Sequence, residues 1–409
     1  MMKWRNQLLA LSCLLVFFAF GVLYFRHWVV QKPFGIILFI GAGLDPARLA
    51  AARVQAAAPD APLAIDSLPY SALLSTYGAG STTPDQAAAA SALATGVRIR
   101  SGAIGVNANG KKLVNLLELA RKNGRMTGLV TNALLTDPTP ASFYAHTSTG
   151  DDRHELAREL VEDVDLDVVL GGGAADFLPS KKEGRRSDEK NLLLHLRSSG
   201  FELVQNLDEL EAVPRWRAAK LFGIFAPAEL AFADEEPPTD QPRLSDLVRR
   251  SIELLQFNSG GYVLVVDAGL MRKAAQDGNS ERVLLETIEL DRAVSVALEY
   301  AGAKSTILVC GDVVGAQQDR GSAGPALESG AAAAARVLST PSLNDVQEQN
   351  PSPPAQASPS LPADSGSRFE ENAPDVPSDV IAFGTGLGAD ALHGTLASTA
   401  IFEIIRDNL

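Results

Sequence analysis

Short, nearly unbroken apolar runs punctuate the chain, most of them rich in β-branched residues. They occupy 35–40 (GIILFI), 127–130 (TGLV), 167–170 (DVVL), 262–266 (YVLVV), 305–310 (STILVC) and 380–383 (VIAF). Continuous rather than alternating hydrophobicity marks strands covered on both faces. Between them the period changes. In 112–122, 153–162 and 281–299 apolar residues recur at three and four, the spacing of one helix face. Strand-helix alternation of this kind predicts an α/β domain, a mostly parallel sheet with helices on both faces. The runs exit into Gly41-Ala42-Gly43, Thr131, Gly171-Gly172-Gly173, Asp267, Gly311-Asp312 and Gly384. Ligands of open α/β sheets bind outside the carboxyl ends of strands, so glycines and carboxylates gathered there suggest a site. The plainer alternative is that the glycines turn the chain and the acids cap helices.

The longest apolar stretch comes first. Residues 8–24 read LLALSCLLVFFAFGVLY, with Lys3 and Arg5 before them and Arg26 after. This is near the lower limit for a spanning helix, and Phe25, Trp28, Val29 and Val30 extend it. A cleaved signal peptide is the competing reading. Leu23-Tyr24-Phe25 is too bulky for a small-x-small cleavage site, which favours an uncleaved transmembrane anchor over 1–31. Basic residues ahead of the span favour a cytoplasmic N-terminus, with the body on the extracytoplasmic (periplasmic or cell-surface) side of a single-pass protein.

Composition narrows the rest. With 409 residues and 46% hydrophobic content the chain can bury a large core. Its formal net charge of −13 argues against nucleic acid, whose phosphates need clustered Lys and Arg. Cys13 lies in the apolar N-terminus and Cys310 ends a buried-strand run, so the fold does not rest on a disulfide. Residues 339–378 are dense in Pro, Ser, Ala and Asp and read as a flexible insertion; 228–242 reads as a shorter surface loop. The expected organisation is therefore a membrane anchor (1–31), one interrupted domain (32–338 and 379–409) and the insertion between its parts.

Several motifs follow one another in the body: Thr83-Pro84-Asp85-Gln86 before an alanine run, Ser101-Gly102-Ala103-Ile104-Gly105, Thr127-Gly128-Leu129-Val130-Thr131, Thr136-Asp137-Pro138-Thr139-Pro140-Ala141 and Tyr144-Ala145-His146. With FIGAG at the first strand and VVLGGG at 168–173, they resemble the alkaline phosphatase family in order and spacing, over nearly all of 34–338 and 379–409. The resemblance implies a serine nucleophile at a helix N-terminus, two zinc ions activating it and stabilising the leaving oxygen, a magnesium site behind them and an arginine gripping phosphate.

The residues that chemistry needs are mostly replaced. Gln86 stands where the resemblance places the serine, and a carboxamide is not a nucleophile. Thr82 or Thr83 is the expected helix cap, with Pro84 in the first turn. Ala42 stands where a bridging carboxylate belongs; Arg272 and Gln276 stand where an Asp and a His belong; Val313 replaces another His after Asp312. None of the five histidines, His27, His146, His154, His195 and His393, falls at a zinc-ligand position. Catalytic zinc normally takes three protein ligands with imidazole prominent, so zinc (Zn) is disfavoured. Asp137, Thr139, Asp267 and Asp312 survive as a residual oxygen set, and magnesium (Mg) is the candidate cofactor left to them. The alternative is that Asp137 and Thr139 merely organise a loop. A gapless alignment puts Gly150 at the phosphate arginine and a small loop shift brings Arg153; an exposed arginine at a helix start is the simpler reading.

Loss of zinc leaves Asp267 and Asp312 at strand ends without a cation, and a buried unpaired carboxylate is strongly unfavourable. Arg272 is therefore expected to point into the old metal position and pair with one of them. Taken together, the sequence predicts a membrane-anchored pseudophosphatase serving through binding or assembly, its protein partner or phosphorylated ligand unidentified. The alternative is an active phosphomonoesterase with ligands relocated to Asp45, Asp85 and Asp137.

Overall fold

The computed structural model describes residues 2–24, 34–56, 62–80, 85–163, 165–216, 220–238, 240–313 and 379–409. The Pro/Ser-rich insertion expected over 339–378 lies outside them, as do Thr82, Thr83 and Pro84.

Among the described residues, ten strands form one sheet. In chain order they are β1 (Gly35–Gly41), β2 (Tyr70–Ser75), β3 (Met126–Leu134), β4 (Val168–Gly172), β5 (Glu202–Val204), β6 (Leu221–Ile224), β7 (Tyr262–Ala268), β8 (Thr306–Gly311), β9 (Val380–Thr385) and β10 (Thr395–Ala397). Their spatial order is β10-β2-β9-β8-β1-β7-β3-β4-β6-β5. Only β9 runs antiparallel to its neighbours, β2 and β8. The six apolar runs became β1, β3, β4, β7, β8 and β9.

The predicted two-sided burial is seen directly in β1. Ile36, Leu38 and Ile40 enter one core, beneath the helices Gln86–Thr95, Leu116–Lys122, Arg153–Glu162 and Thr399–Arg406. Ile37 and Phe39 enter the other, beneath Pro46–Gln55, Leu244–Leu255 and Ser280–Tyr300. Alternate residues of each central strand thus face opposite layers, which is why these strands read as continuous apolar runs. Both cysteines are free, Cys13 exposed and Cys310 buried.

Three helix expectations need adjustment. The segment expected over 112–122 becomes helical only at Leu116, because Asn115 and Glu118 form a reciprocal capping box there. The alanine-rich helix is capped by Asp85, whose carboxylate accepts the Ala88 N–H, rather than by Thr82 or Thr83. At the N-terminus, Met2–Tyr24 is helical. Among the described residues, however, no helix is long and apolar enough to cross a membrane, so the expected span is not supported. Lys3, Trp4, Arg5, Asn6 and Gln7 take up the first turns, so the apolar part begins only at Leu8 and falls short of the ~20 residues a span needs. Phe25 to Val30, which would lengthen it, lie outside the described residues.

Candidate functional site

The carboxyl ends of β8, β1, β7 and β3 are adjacent in the sheet, the position at which open α/β sheets form their ligand crevice. Asp312 follows β8 and is fully buried. Its Oδ1 accepts the backbone N–H of Gly43 at 3.3 Å and of Val313 at 2.5 Å. Its Oδ2 accepts the Thr139 hydroxyl at 2.9 Å and the Arg272 guanidinium. Four donors converge on one carboxylate, filling its hydrogen-bonding capacity. Arg272 reaches it from the helix Leu270–Gln276, which starts directly beyond β7. The ion pair expected from the sequence is therefore present.

Thr139 links this carboxylate to the alanine-rich helix. Its oxygen donates to Asp312 and accepts the Gln86 Nε2 hydrogen at 3.0 Å. Gln86 is the first residue of the helix Gln86–Thr95, and its carboxamide is turned onto this neighbour. The helix is buried along nearly its whole length, which its alanines permit by letting other elements approach closely. It ends at Gly96, whose φ of 69° gives the left-handed cap that glycine adopts without strain.

Arg48 was not singled out in the sequence. It lies in Pro46–Gln55, donates from Nη1 to the Ala42 carbonyl at 2.9 Å and faces the charges of Arg272 and Asp312. Burial, ahead of the neighbouring charges, holds its pKa below the ordinary arginine value. The turn after β1 makes room for it: Gly43 has φ +65°, and a Cβ there would stand 2.3 Å from Arg48 Nη1. Sequence offered one signal for Arg48, the arginine three residues beyond a helix-capping Asp45, but that pattern is common.

The other expected residues separate. Asp267, at the end of β7, is buried with Oδ2 on the Thr131 hydroxyl at 2.8 Å and Oδ1 without a hydrogen-bond partner. Burial, reinforced by the Asp312 charge, pushes its pKa up to about 7. Asp137 meets Arg153 Nη2 at 3.1 Å, and its pKa is pushed up to about 6, chiefly by burial. Arg153 is thus an exposed arginine in the first turn of Arg153–Glu162, with its guanidinium turned to Asp137 at the edge of the crevice. Ala42 and Val313 are buried beside Asp312, whereas Gln276 is exposed at the end of its helix and takes no part.

The model of the alkaline phosphatase family matches residues 35–323. This chain belongs to the alkaline phosphatase family. It is 33% identical to alkaline phosphatase H of Pseudomonas aeruginosa over 326 residues, 68% of this chain and 68% of that protein. It is 28% identical to the tissue-nonspecific isozyme of Gallus gallus over 321 residues, 67% of this chain and only 62% of the relative. Among solved structures, the cold-active alkaline phosphatase of a Shewanella species superposes with a TM-score of 0.70 at 22% identity, covering 92% of this chain and all (100%) of that one. The enzyme of the Antarctic bacterium TAB5 gives 0.70 at 19% identity, covering 92% and 98%. At these identities the structures establish the fold. A variant of the TAB5 enzyme is solved with Mg bound.

In this alkaline phosphatase family member most oxygens expected to hold a metal have protein partners. Asp312 has no acceptor left, and the cation beside it is a guanidinium. Thr139 directs its hydrogen to Asp312 and takes another from Gln86. Ala42 brings no side-chain oxygen. Among the described residues no three His, Cys, Asp or Glu side chains are grouped to hold a metal ion. The residual magnesium-like set expected from Asp137, Thr139, Asp267 and Asp312 is thus dispersed among protein partners. Hydrogen bonds and two arginines take up the Asp312, Thr139 and Asp137 oxygens that a hard cation would need, and of this set Asp267 Oδ1 is left without a partner.

Beyond the crevice, Glu286 is buried on Ser280–Tyr300, accepting the Ala233 N–H at 2.6 Å and Asn132 Nδ2 at 3.3 Å. Burial pushes its pKa up from 4.5 to about 7. The folded protein then keeps this proton over a range in which the unfolded chain has lost it. Its stabilising contribution is complete below pH 4.5 and fades as pH rises to about 7. Glu286→Gln should flatten that fall in unfolding free energy, which urea titrations at several pH values would measure. An unchanged slope in the variant would contradict the assignment.

Proposed function

We propose that this chain is a non-hydrolytic member of the alkaline phosphatase family that acts by binding or assembly. The observation that carries the reading is Gln86. The residue at the attacking position is a carboxamide tied to Thr139, and Thr139 belongs to the same hydrogen-bonded chain as Asp312 and Arg272. An activated nucleophile needs a low-pKa oxygen or sulfur beside a free base or a metal, whereas the Asp312 carboxylate that accepts the Thr139 hydroxyl is already held by Arg272. Relocated ligands receive no support. Asp45 caps Pro46–Gln55 through Arg48 N, Asp85 caps Gln86–Thr95 and holds Gly102 N, and Asp137 faces Arg153.

We propose further that the N-terminal helix tethers the body to a membrane, with the body on the extracytoplasmic side. Supporting this, Leu14, Phe17, Phe18 and Phe20 on different sides of the helix are all exposed, Phe17 at 80%. A helix apolar all round suits lipid better than water. Salt-washed membranes should retain the full chain and release a version lacking 1–31; recovery of the full chain in the salt wash would exclude the tether.

The activity test uses the purified full chain in detergent with an aryl phosphate, zinc and magnesium. Turnover should stay at the level of buffer, and metal analysis should find less than stoichiometric zinc. Gln86→Ser alone should leave the chain inactive, since Arg272 still occupies Asp312. Turnover that vanishes in Asp137→Ala would instead establish an enzyme with relocated ligands.

A further inference from the structure

The strap that carries Asp137 and Thr139 ends at His146, seven residues beyond the threonine, and His146 is built into a polar junction away from the crevice. Both its side chain and that of Glu159 are only 5% exposed. The two oxygens of Glu159 accept the His146 backbone N–H at 3.1 Å each, and Glu159 Oε1 lies 3.5 Å from His146 Nδ1. On the other side of the ring, Nε2 is 2.8 Å from the Leu113 carbonyl and 3.8 Å from Glu118 Oε1. One imidazole thereby joins the loop before Leu116–Lys122, that helix itself and the helix Arg153–Glu162.

The geometry also specifies the proton count. A carbonyl facing Nε2 requires an N–H there, and a carboxylate facing Nδ1 favours an N–H there as well. Only the imidazolium has both. Burial alone would lower the pKa of His146, but the bonds to Glu159 and Leu113 and the charge of Glu118 outweigh it and leave the pKa raised. Glu159 is likewise held below its ordinary value: burial opposes ionisation, and the contacts with His146 overcome it. A neutral ring that keeps its hydrogen on the Leu113 carbonyl would turn a lone pair toward Glu159.

We propose that His146 and Glu159 form a positioning clamp that holds the helix Arg153–Glu162, and with it the Arg153 guanidinium, against Asp137 at the mouth of the site, and that the clamp opens as pH rises. Glu159 lies about 9 Å along the helix axis from Arg153, at ~1.5 Å per residue, so movement at the clamp is transmitted through less than two turns of helix. The same histidine ends the strap whose start carries Asp137, so both partners of the Asp137–Arg153 pair are anchored at one junction. Solvent has access. A cavity of about 250 Å³ opens beside the ring. The titratable groups lining it are Lys112, Glu118, Lys122, Tyr144, Glu159 and Asp163. Of these, Lys112 is the remaining cation near Glu159, at 3.6 Å and largely exposed, and such a pair contributes little. Tyr144 donates to the Leu135 carbonyl and stays neutral, its pKa raised chiefly by burial.

The sign follows from the raised pKa. The clamp's contribution is complete below the unfolded histidine value of about 6.5 and is lost as pH passes through the higher folded value. The test is amide hydrogen exchange on the full chain in detergent at pH 6 and pH 9, corrected for intrinsic exchange rates. Peptides covering 146–162 should lose at least about tenfold protection at the higher pH, while β1 and β7 keep theirs. In His146→Gln the same peptides should exchange fast at both pH values. Equal protection of 146–162 at the two pH values in the wild-type chain, or a pH difference that survives in His146→Gln, overturns the proposal. If that variant does not fold, the wild-type imidazole titration followed by NMR decides: a midpoint above the ordinary value supports the clamp, and one at or below it refutes it. The proposal stands apart from the reading of the site as non-hydrolytic.

Discussion

Arg272→Met should lower the unfolding free energy by about 3–5 kcal/mol, the range found when one partner of a buried ion pair is removed. Asp312 is fully buried, and among the described residues Arg272 is the one cationic group in its hydrogen-bonding shell. Methionine preserves much of the aliphatic stem, so the loss reports on charge rather than on packing. The effect should depend on Asp312 itself. Adding Asp312→Asn to Arg272→Met removes the stranded charge and should recover about 1–3 kcal/mol, a coupling that a double-mutant cycle isolates. Urea titrations of the four proteins at pH 7 make the measurement. A single Arg272→Met variant within about 0.5 kcal/mol of wild type would show that the guanidinium is dispensable to the site.

A second large loss is expected at Arg250, in the layer opposite the helix Gln86–Thr95. Its side chain is 1% exposed. It donates to the carbonyls of Leu210 at 2.9 Å and Val213 at 2.8 Å, and to Glu253 at 2.5 Å. Leu210 and Val213 lie at the C-terminal end of the helix Leu207–Ala212, where the Leu210 carbonyl also accepts a long bond from the Val213 N–H at 3.4 Å. Arg250→Met would take the guanidinium from both carbonyls, leaving Leu210 the long Val213 bond, and would remove the most buried partner of Glu253, leaving Arg215 at 2.9 Å and Arg249 at 3.6 Å. A loss of about 3–5 kcal/mol is expected. Arg250→Lys should recover less than half, because one ammonium cannot reproduce the planar fork. A lysine variant as stable as wild type would show that charge alone matters.

These two arginines differ in how visible they were. Arg272 could be read from sequence because it stands where a family resemblance expects a ligand. Arg250 sits on a helix with a strongly apolar face and looks there like any charged residue. Its role depends on the docking of a different helix some forty positions away, which no local pattern encodes.

The same contrast runs through the fold. The central strands were legible because burial on both faces demands an uninterrupted apolar run. The missed strands are peripheral or short. β5 and β10 have three residues each, too few to establish a period. β2 pairs with β9 but leaves Tyr70, Ser71 and Leu73 exposed, so its sequence lacks the continuous signature. Gly223 interrupts β6, and a Cβ there would come within 2.6 Å of Leu170 and Phe225 side chains.

What the sequence determined by itself was the layered α/β architecture, the family and the residues to which the resemblance directs attention: Gln86 where it expects a nucleophile, Ala42 where it expects a carboxylate, Arg272 where it expects a metal ligand. Those follow from residue type and local period. The tertiary structure alone decided how the remaining acids are satisfied. It brought Gln86 onto Thr139, placed four donors on Asp312, added Arg48 beside them and left Asp267 Oδ1 without a partner. Hydrogen bonds between positions 53 to 269 apart in the chain depend on the register of β1, β7 and β8 and on where the following turns aim each side chain. That geometry exists only once the sheet is assembled.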